Sequence, residues 1–390
     1  MAIQSRDTTE ISLVQRLAPA FAAVIGLVVV AIGVMILADR NAATSLLAFI
    51  YETFGNAQGA VDLRNGVGDQ LLAKIVLGVV AVFVGVAGIW MLYVGVSAIV
   101  GLLSPKWQAR ILPWVFVVPA MVLLTVFLVY PTIGTIITSL TVQTNGDPLL
   151  HYKALTSPAY LTLVQNNIIW LIVGTGGSVL LGLLIAGMVD RVRREALAKT
   201  FIFLPLAISF IGASVIWRFM YEWKPEGQPQ IGLVNAVWTS LGGEPIRWVQ
   251  TQPINTFALI LIFVWLQTGF AMVVLSAAIK GVSVEVIEAA RLDGASERQI
   301  FMSVIVPIIK GSIITVATTI AIVVLKIFDI IYVMTGGRNG TDVLANRMFV
   351  EFYEFFNDGR AAALATVLFI AVLPIMFVNV RNLRRQGIGA

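Results

Sequence analysis

Residues 254–279 read Ile254-Asn-Thr-Phe-Ala-Leu-Ile-Leu-Ile-Phe-Val-Trp-Leu-Gln-Thr-Gly-Phe-Ala-Met-Val-Val-Leu-Ser-Ala-Ala-Ile279, without one charged residue. An α-helix rises about 1.5 Å per residue, so a hydrocarbon core about 30 Å thick needs roughly 20 uncharged residues. This run is long enough to cross a bilayer as a helix. Composition supports the same reading along the whole chain. Its 390 residues are 58% hydrophobic and 12% charged, whereas a soluble domain carries about a quarter charged residues. So much apolar surface requires lipid as solvent, and the fold class is all-α and polytopic.

Working outward, the other apolar runs are Leu17–Ala38, Ile75–Leu103, Ile111–Thr141, Leu161–Val189, Thr200–Trp217, Gly311–Met334 and Ala361–Val380. The first exceeds the usual apolar length of a secretory signal and reads as a retained helix. The fifth is short, and the seventh contains Lys326. Together they predict about eight transmembrane helices. Lysine and arginine favour the connections holding Arg193, Arg194, Lys199, Lys280, Arg291, Arg298 and Lys310, and the C-terminal Arg381, Arg384 and Arg385. The positive-inside rule then puts both termini in the cytoplasm. The long connections at 39–74, 142–160, 218–253 and 335–360 become external. A boundary near Ser104-Pro105-Lys106 separates two N-terminal helices (1–107) from the remainder (108–390).

The net charge of +5 sits between apolar runs, where it orients a membrane protein and does not imply nucleic acid. With no cysteine and one histidine, disulfides, thiolate chemistry and metal sites are not expected. His151 reads as a solvated loop residue. The phosphate-cradling pattern GxxxxGK[ST] is missing, and the Gly-rich stretch Gly336–Thr341 reads as a turn. Asp329 is the one acidic residue well inside an expected span, which leaves an ion-coupled carrier as the weaker alternative. Catalytic groups and a resident cofactor are not expected, and energy should arrive through a partner.

The loop after residue 279 reads as a helix–turn–helix outside the bilayer. Residues 283–292 favour helix, Gly294 supplies a positive φ where it stops, and Ser296 caps the next helix. Apolar Val284, Ile287 and Leu292 alternate with charges, as on a helix that docks into a partner's groove. An amphipathic connector resting on lipid headgroups is the other reading.

The spacing Glu288-Ala289-Ala290, Gly294 and Val304-Ile305-Val306-Pro307 resembles the EAA loop of ABC importer permeases, which more often have Ile and Leu at the Val304 and Val306 places. Residues 288–301, and Lys326–Gly337 leading into the last external loop, are similar to the carbohydrate (maltose-type) branch. Two helices ahead of a six-helix core resemble its larger permease subunit, and Tyr221–Pro225 with Arg247-Trp248-Val249 resembles α-glucoside permeases. The resemblance covers roughly residues 108–385. It implies an inner-membrane permease that imports an α-glucoside or related small glycoside and is not itself an enzyme. Implied partners are a second homologous permease, an ATPase homodimer holding ATP and Mg, and an extracytoplasmic sugar-binding protein. Glu288, Ala289, Ala290, Asp293, Gly294 and Pro307 would form the ATPase-coupling site, with Glu288 paired to a basic residue. Losing one member of such a pair costs roughly 2–5 kcal/mol.

A sugar offers hydroxyls to amides and an apolar face to aromatic rings. Trp265, Gln267, Thr268 and Phe270 supply these on the run that opened the argument, and Thr319 on the next. Gln267 and Phe270 fall where the maltose-type family places contacts, whereas Ile320, Val323 and Val324 depart from its pattern. Lys326 and Asp329 are further substrate-path candidates; three residues apart on one expected helical face, they should pair, and a structural ion pair at the external interface is the other reading. The bland readings are an interhelical hydrogen bond for Gln267, packing for Trp265 and Phe270, and an interfacial belt for Trp217, Trp223, Trp238 and Trp248.

Overall fold

Within a bilayer only a helix satisfies the backbone of a lipid-exposed single segment, and the apolar runs fold accordingly. The computed structural model describes residues 103–385 except Arg191, with isolated positions between 48 and 101. The expected span Leu17–Ala38 lies outside the described residues, as does much of Ile75–Leu103. Every regular element among the described residues is helical. Four helices are long and apolar enough to cross a membrane, and two bent pairs make six if each is one broken span.

The chain divides into two compact units, Met1–Pro131 and Thr132–Ala390. In the first, the Gln108 amide donates to the Gly101 and Leu103 carbonyls at 2.9 and 2.8 Å. Helix α1 (Pro105–Thr141) begins there and passes through a π turn at Thr125–Val129. No side chain of its Pro105–Leu124 stretch is buried.

The second unit continues with the short α2 (Leu150–Ala154), then α3 (Pro158–Val189), whose π turn is Trp170–Gly174. Next come α4 (Glu195–Ala207), α5 (Phe210–Met220), α6 (Leu233–Ser240) and α7 (Ile254–Lys280). The chain ends with α8 (Val284–Leu292), α9 (Glu297–Ile308), α10 (Lys310–Leu325), α11 (Asp329–Met334), α12 (Leu344–Tyr353) and α13 (Asp358–Arg385). Helix α7 is the centre of the unit: 72% of its apolar window is buried inside the protein. Leu259, Ile262, Phe263, Leu266 and Met272 of α7 pack with Trp170 of α3, Val316, Ile320 and Val324 of α10, and Ile330 and Ile331 of α11. Gly269 lets α4 approach: a Cβ there would stand 2.5 Å from the Ile202 carbonyl oxygen.

Two expected spans are corrected. Thr200–Trp217 is two helices, α4 and α5, bent by 100°. Pro205 sits in a 3-10 turn closing α4, and Ser209 caps α5 by accepting the Gly212 N–H at 3.1 Å. Gly311–Met334 stops at Leu325, and α11 starts separately at Asp329. An unbroken helix would align Lys326 with Ile330 one turn on. The break lets Ile327, Ile330 and Ile331 bury while Lys326 stays exposed, which avoids burying a charge. Lys326 and Asp329 therefore do not share a helical face, and no ion pair joins them among the described residues.

At the end of the unit away from the 283–307 loop, buried asparagines hold the Gly-rich segment as the expected turn. Asn166 donates to the Gly340 and Asp342 carbonyls at 2.7 and 2.8 Å, and Asn255 to the Asn339 carbonyl at 2.8 Å. His151 departs from expectation. It is 2% exposed, and its Nε2 donates to the Val142 carbonyl at 2.9 Å.

Candidate functional site

The 283–307 loop takes the local form its residues dictate. Helix α8 ends where the Asp293 and Ala295 N–H groups donate to the Ala289 and Ala290 carbonyls at 3.0 and 3.1 Å. Gly294 has φ +79°, which a residue with a Cβ reaches at a cost of about 1–2 kcal/mol. Ser296 and Gln299 form a capping box that starts α9, and Arg291 bridges the two helices through Glu297 at 2.9 Å.

One face of this helix–turn–helix is anchored. Val282, Ile300, Ile305 and Ile309 are buried, with Ile287, Ala290, Ala295 and Phe301 packed on them. Ile287 thus faces inward and leaves the expected docking stripe. Outward stand Glu288, Ala289 and Asp293, all exposed, with Val284 and Leu292 at 65% and 89% exposure. Pro307 follows the π turn Ile300–Ile305, and α9 meets α10 at 70°. Proline lacks the N–H that a continuous ladder needs, so the irregular turn and the bend belong together.

Beside the loop lies an ionic cluster that the sequence reading did not single out. The Lys199 ammonium donates to Asp190 at 2.7 Å, to Glu195 at 2.6 Å and to the Ser276 hydroxyl; Ser276 donates to Asp190 at 2.7 Å. Lys280, the last residue of α7, reaches Glu195 at 2.5 Å. The ends of α3, α4 and α7 are thereby tied together just before the loop begins. Only the Glu195–Lys199 spacing of four residues signalled it beforehand.

The path candidates are distributed over two helices and a break. On α7, Gln267 is 8% exposed, and no side-chain hydrogen bond involves its amide among the described residues. Trp265 is half-buried and meets Trp217 of α5 edge-on, with ring centroids 5.8 Å apart. Trp217, Tyr221 and Trp248 extend the aromatic series, at 5.1 and 6.2 Å between neighbouring centroids. Phe270 is half-buried, and the Thr268 hydroxyl is occupied by the Val264 carbonyl at 2.6 Å. On α10 the exposed Thr319 bonds back to the Thr315 carbonyl at 2.8 Å. Ile320 and Val324 are core. Lys326 and Asp329 lie at the α10–α11 break, and α11 packs against both α5 and α7. Trp217 is the added residue, placed beside Trp265 by the unexpected α4–α5 bend.

At the far end, Glu351 is fully buried and accepts from Tyr160 at 2.6 Å, Arg347 at 3.0 Å and Arg360 at 3.3 Å. Next to it, burial pushes the Asp342 carboxyl above its ordinary range, against the pull of Asn346 and the Val343 N–H. Tyr160, Asn166, Asp342 and Arg347 line a cleft of about 310 Å³.

Comparison with known proteins gives the family and the fold. The family described as the binding-protein-dependent transport system inner membrane component matches residues 178–385. The osmoprotective compounds uptake permease protein GgtC of Synechocystis sp. is 47% identical over 274 residues, covering 70% of this chain and 98% of that protein. The α-glucoside transport system permease protein AglF of Rhizobium meliloti is 42% identical over 334 residues, covering 82% and 99%. A chain of a bacterial alginate ABC transporter, solved in complex with an alginate pentasaccharide-bound periplasmic protein, has the same fold. Its TM-score is 0.62 at 20% identity, with 73% of this chain and 98% of that chain covered. A family match running from within α3 to the end of α13, with relatives covered almost end to end, establishes that this chain belongs to the inner membrane components of binding-protein-dependent transport systems, as a permease.

Proposed function

We propose that this permease forms half of the path for a small neutral glycoside of the α-glucoside class and is driven by ATP hydrolysis on separate subunits. The observation that carries the coupling half is the loop itself: anchored on one face by its own apolar cluster, it presents Glu288, Ala289, Asp293, Val284 and Leu292 to solvent. Such a surface fits a groove on an ATPase, with Glu288 meeting a basic residue and Gly294 and Ala290 shaping the turn. Pro307 sets the elbow that passes movement on to α10. ATP and Mg would be held by an ATPase homodimer, which pairs with this chain and a second homologous permease, and an extracytoplasmic binding protein would deliver the solute.

The substrate half rests on the two relatives. One handles α-glucosides and the other osmoprotective compounds, and a small uncharged glucoside satisfies both descriptions. Gln267, whose amide has no protein partner among the described residues, would meet hydroxyls, with Trp265, Trp217 and Phe270 offering ring faces. Thr268 and Thr319, both bonded back to their own helices, would play lesser parts, and Lys326 and Asp329 would border the path at the α10–α11 break. Both termini would face the cytoplasm, and residues 1–107 would add two helices to a six-helix core at 108–390.

The test is ATP hydrolysis by the four-component assembly, measured with its binding protein and a panel of α-glucosides, polyol glucosides, non-glucoside sugars and charged osmolytes. Stimulation confined to neutral glucosides is the expected result. Stimulation by charged osmolytes alone would replace the glycoside reading with a general osmoprotectant one.

A further inference from the structure

Helix α6 is held from one side. Asn235, fully buried, accepts the Ile246 N–H at 3.0 Å and the Trp248 indole N–H at 2.9 Å, and donates to the Ile246 carbonyl at 2.9 Å. The opposite side is apolar and open. Leu233, Val237 and Leu241, spaced four apart, are 54%, 53% and 77% exposed, with Ile231 and Trp238 beside them. From Gly227 to Gly243 no residue is charged, which is unusual for a connection expected to stand in water.

The packing also ties α6 to the start of α7. The Trp248 ring stacks on Tyr221, and the Tyr221 hydroxyl donates to the Ala258 carbonyl at 3.0 Å, near the start of α7. Asn235 is therefore linked through two side chains, Trp248 and Tyr221, to the early turns of α7. Of the segments on either side, α7 is long and apolar enough to cross a membrane, and α5 is the second arm of a bent pair that passes the same test jointly with α4. The exposed α5 residues Val215, Ile216 and Phe219 continue the apolar surface toward α6.

We propose that α6 lies flat in the boundary between lipid headgroups and acyl chains, as an interfacial anchor. Leu233, Val237 and Leu241 point to the acyl chains, and Trp238, amphipathic in its indole, sits at headgroup level. Lipid is the favoured occupant because the face is uncharged and continuous with surface that already meets lipid. Anchored there, α6 holds the height of the α5–α7 pair, which carries Trp217, Trp265 and Gln267.

The chain has no cysteine, so single nitroxides at Val237→Cys and Leu241→Cys report directly, with Glu226→Cys as the control in the same connection. The full chain is measured in lipid nanodiscs, alone and in its assembled transporter, by collision with oxygen and with a water-soluble nickel chelate. Oxygen should dominate at 237 and 241 and the chelate at 226, in both preparations. Dominance of the chelate at 237 and 241 overturns the proposal in favour of a solvated helix. Shielding from both reagents in the assembled transporter overturns it in favour of a protein contact. Both reagents reach either leaflet, so the result does not depend on which side of the membrane α6 occupies.

Discussion

Glu351 and Glu288 are single carboxylates in opposite surroundings, one fully buried and one exposed, and the difference separates a structural role from the coupling role proposed for Glu288. Glu351 has no exposed surface and receives one phenol and two guanidinium groups. Glu351→Ala removes their shared acceptor, and breaking a buried charge cluster costs about 3–5 kcal/mol. The expected outcome is a clear fall in the thermal midpoint of the detergent-solubilised permease; an unchanged midpoint would show that the cluster does not hold the far end together. Glu288 is exposed and makes no ion pair among the described residues, so Glu288→Ala should change stability by less than about 0.5 kcal/mol. Gly294→Ala falls between the two. Its φ of +79° adds about 1–2 kcal/mol of local strain, which should reduce ligand-stimulated ATP hydrolysis while leaving membrane insertion intact.

At the scale of elements, Gly269 decides how near α4 lies to α7. A leucine there would drive its side chain into the backbone at Ile202 and Phe203, so Gly269→Leu should lower the yield of folded protein in size-exclusion chromatography. A normal yield and elution position would show that α4 can retreat. The long helices and the helix–turn–helix at 283–307 were legible beforehand, because runs such as Ile254–Ile279 have no alternative solvent and the Glu288–Gly294–Ser296 pattern specifies its own turn and cap. The breaks were not. Hydropathy treats Thr200–Trp217 and Gly311–Met334 as continuous apolar runs, whereas the chain bends where Ser209 finds a cap partner and where Lys326 escapes burial. His151 and Asp190 were misjudged or passed over for a related reason. Their partners, the Val142 carbonyl and Lys199 with Ser276, are brought close by tertiary packing.

For the whole molecule, import requires two arrangements of one bundle, and a ligand or nucleotide shifts them only by its differential affinity. The Asp190–Lys199–Ser276–Glu195–Lys280 cluster ties α3 and α4 to the end of α7 from which the loop leaves. Lys199→Met would strip Asp190 of its cation and should cost on the order of 2 kcal/mol, since that pair is mostly buried. If the cluster steadies one arrangement, basal ATP hydrolysis should rise while the solute-stimulated increment shrinks; an unchanged ratio would make it a purely structural clamp. The most direct test of the central claim, that residues 283–307 couple this permease to an ATPase, is solute- and binding-protein-stimulated ATP hydrolysis in the reconstituted assembly carrying Glu288→Ala. The account predicts that stimulation is lost although the variant permease remains folded in the membrane. Full stimulation in that variant would contradict it and move the coupling contact to another part of the chain.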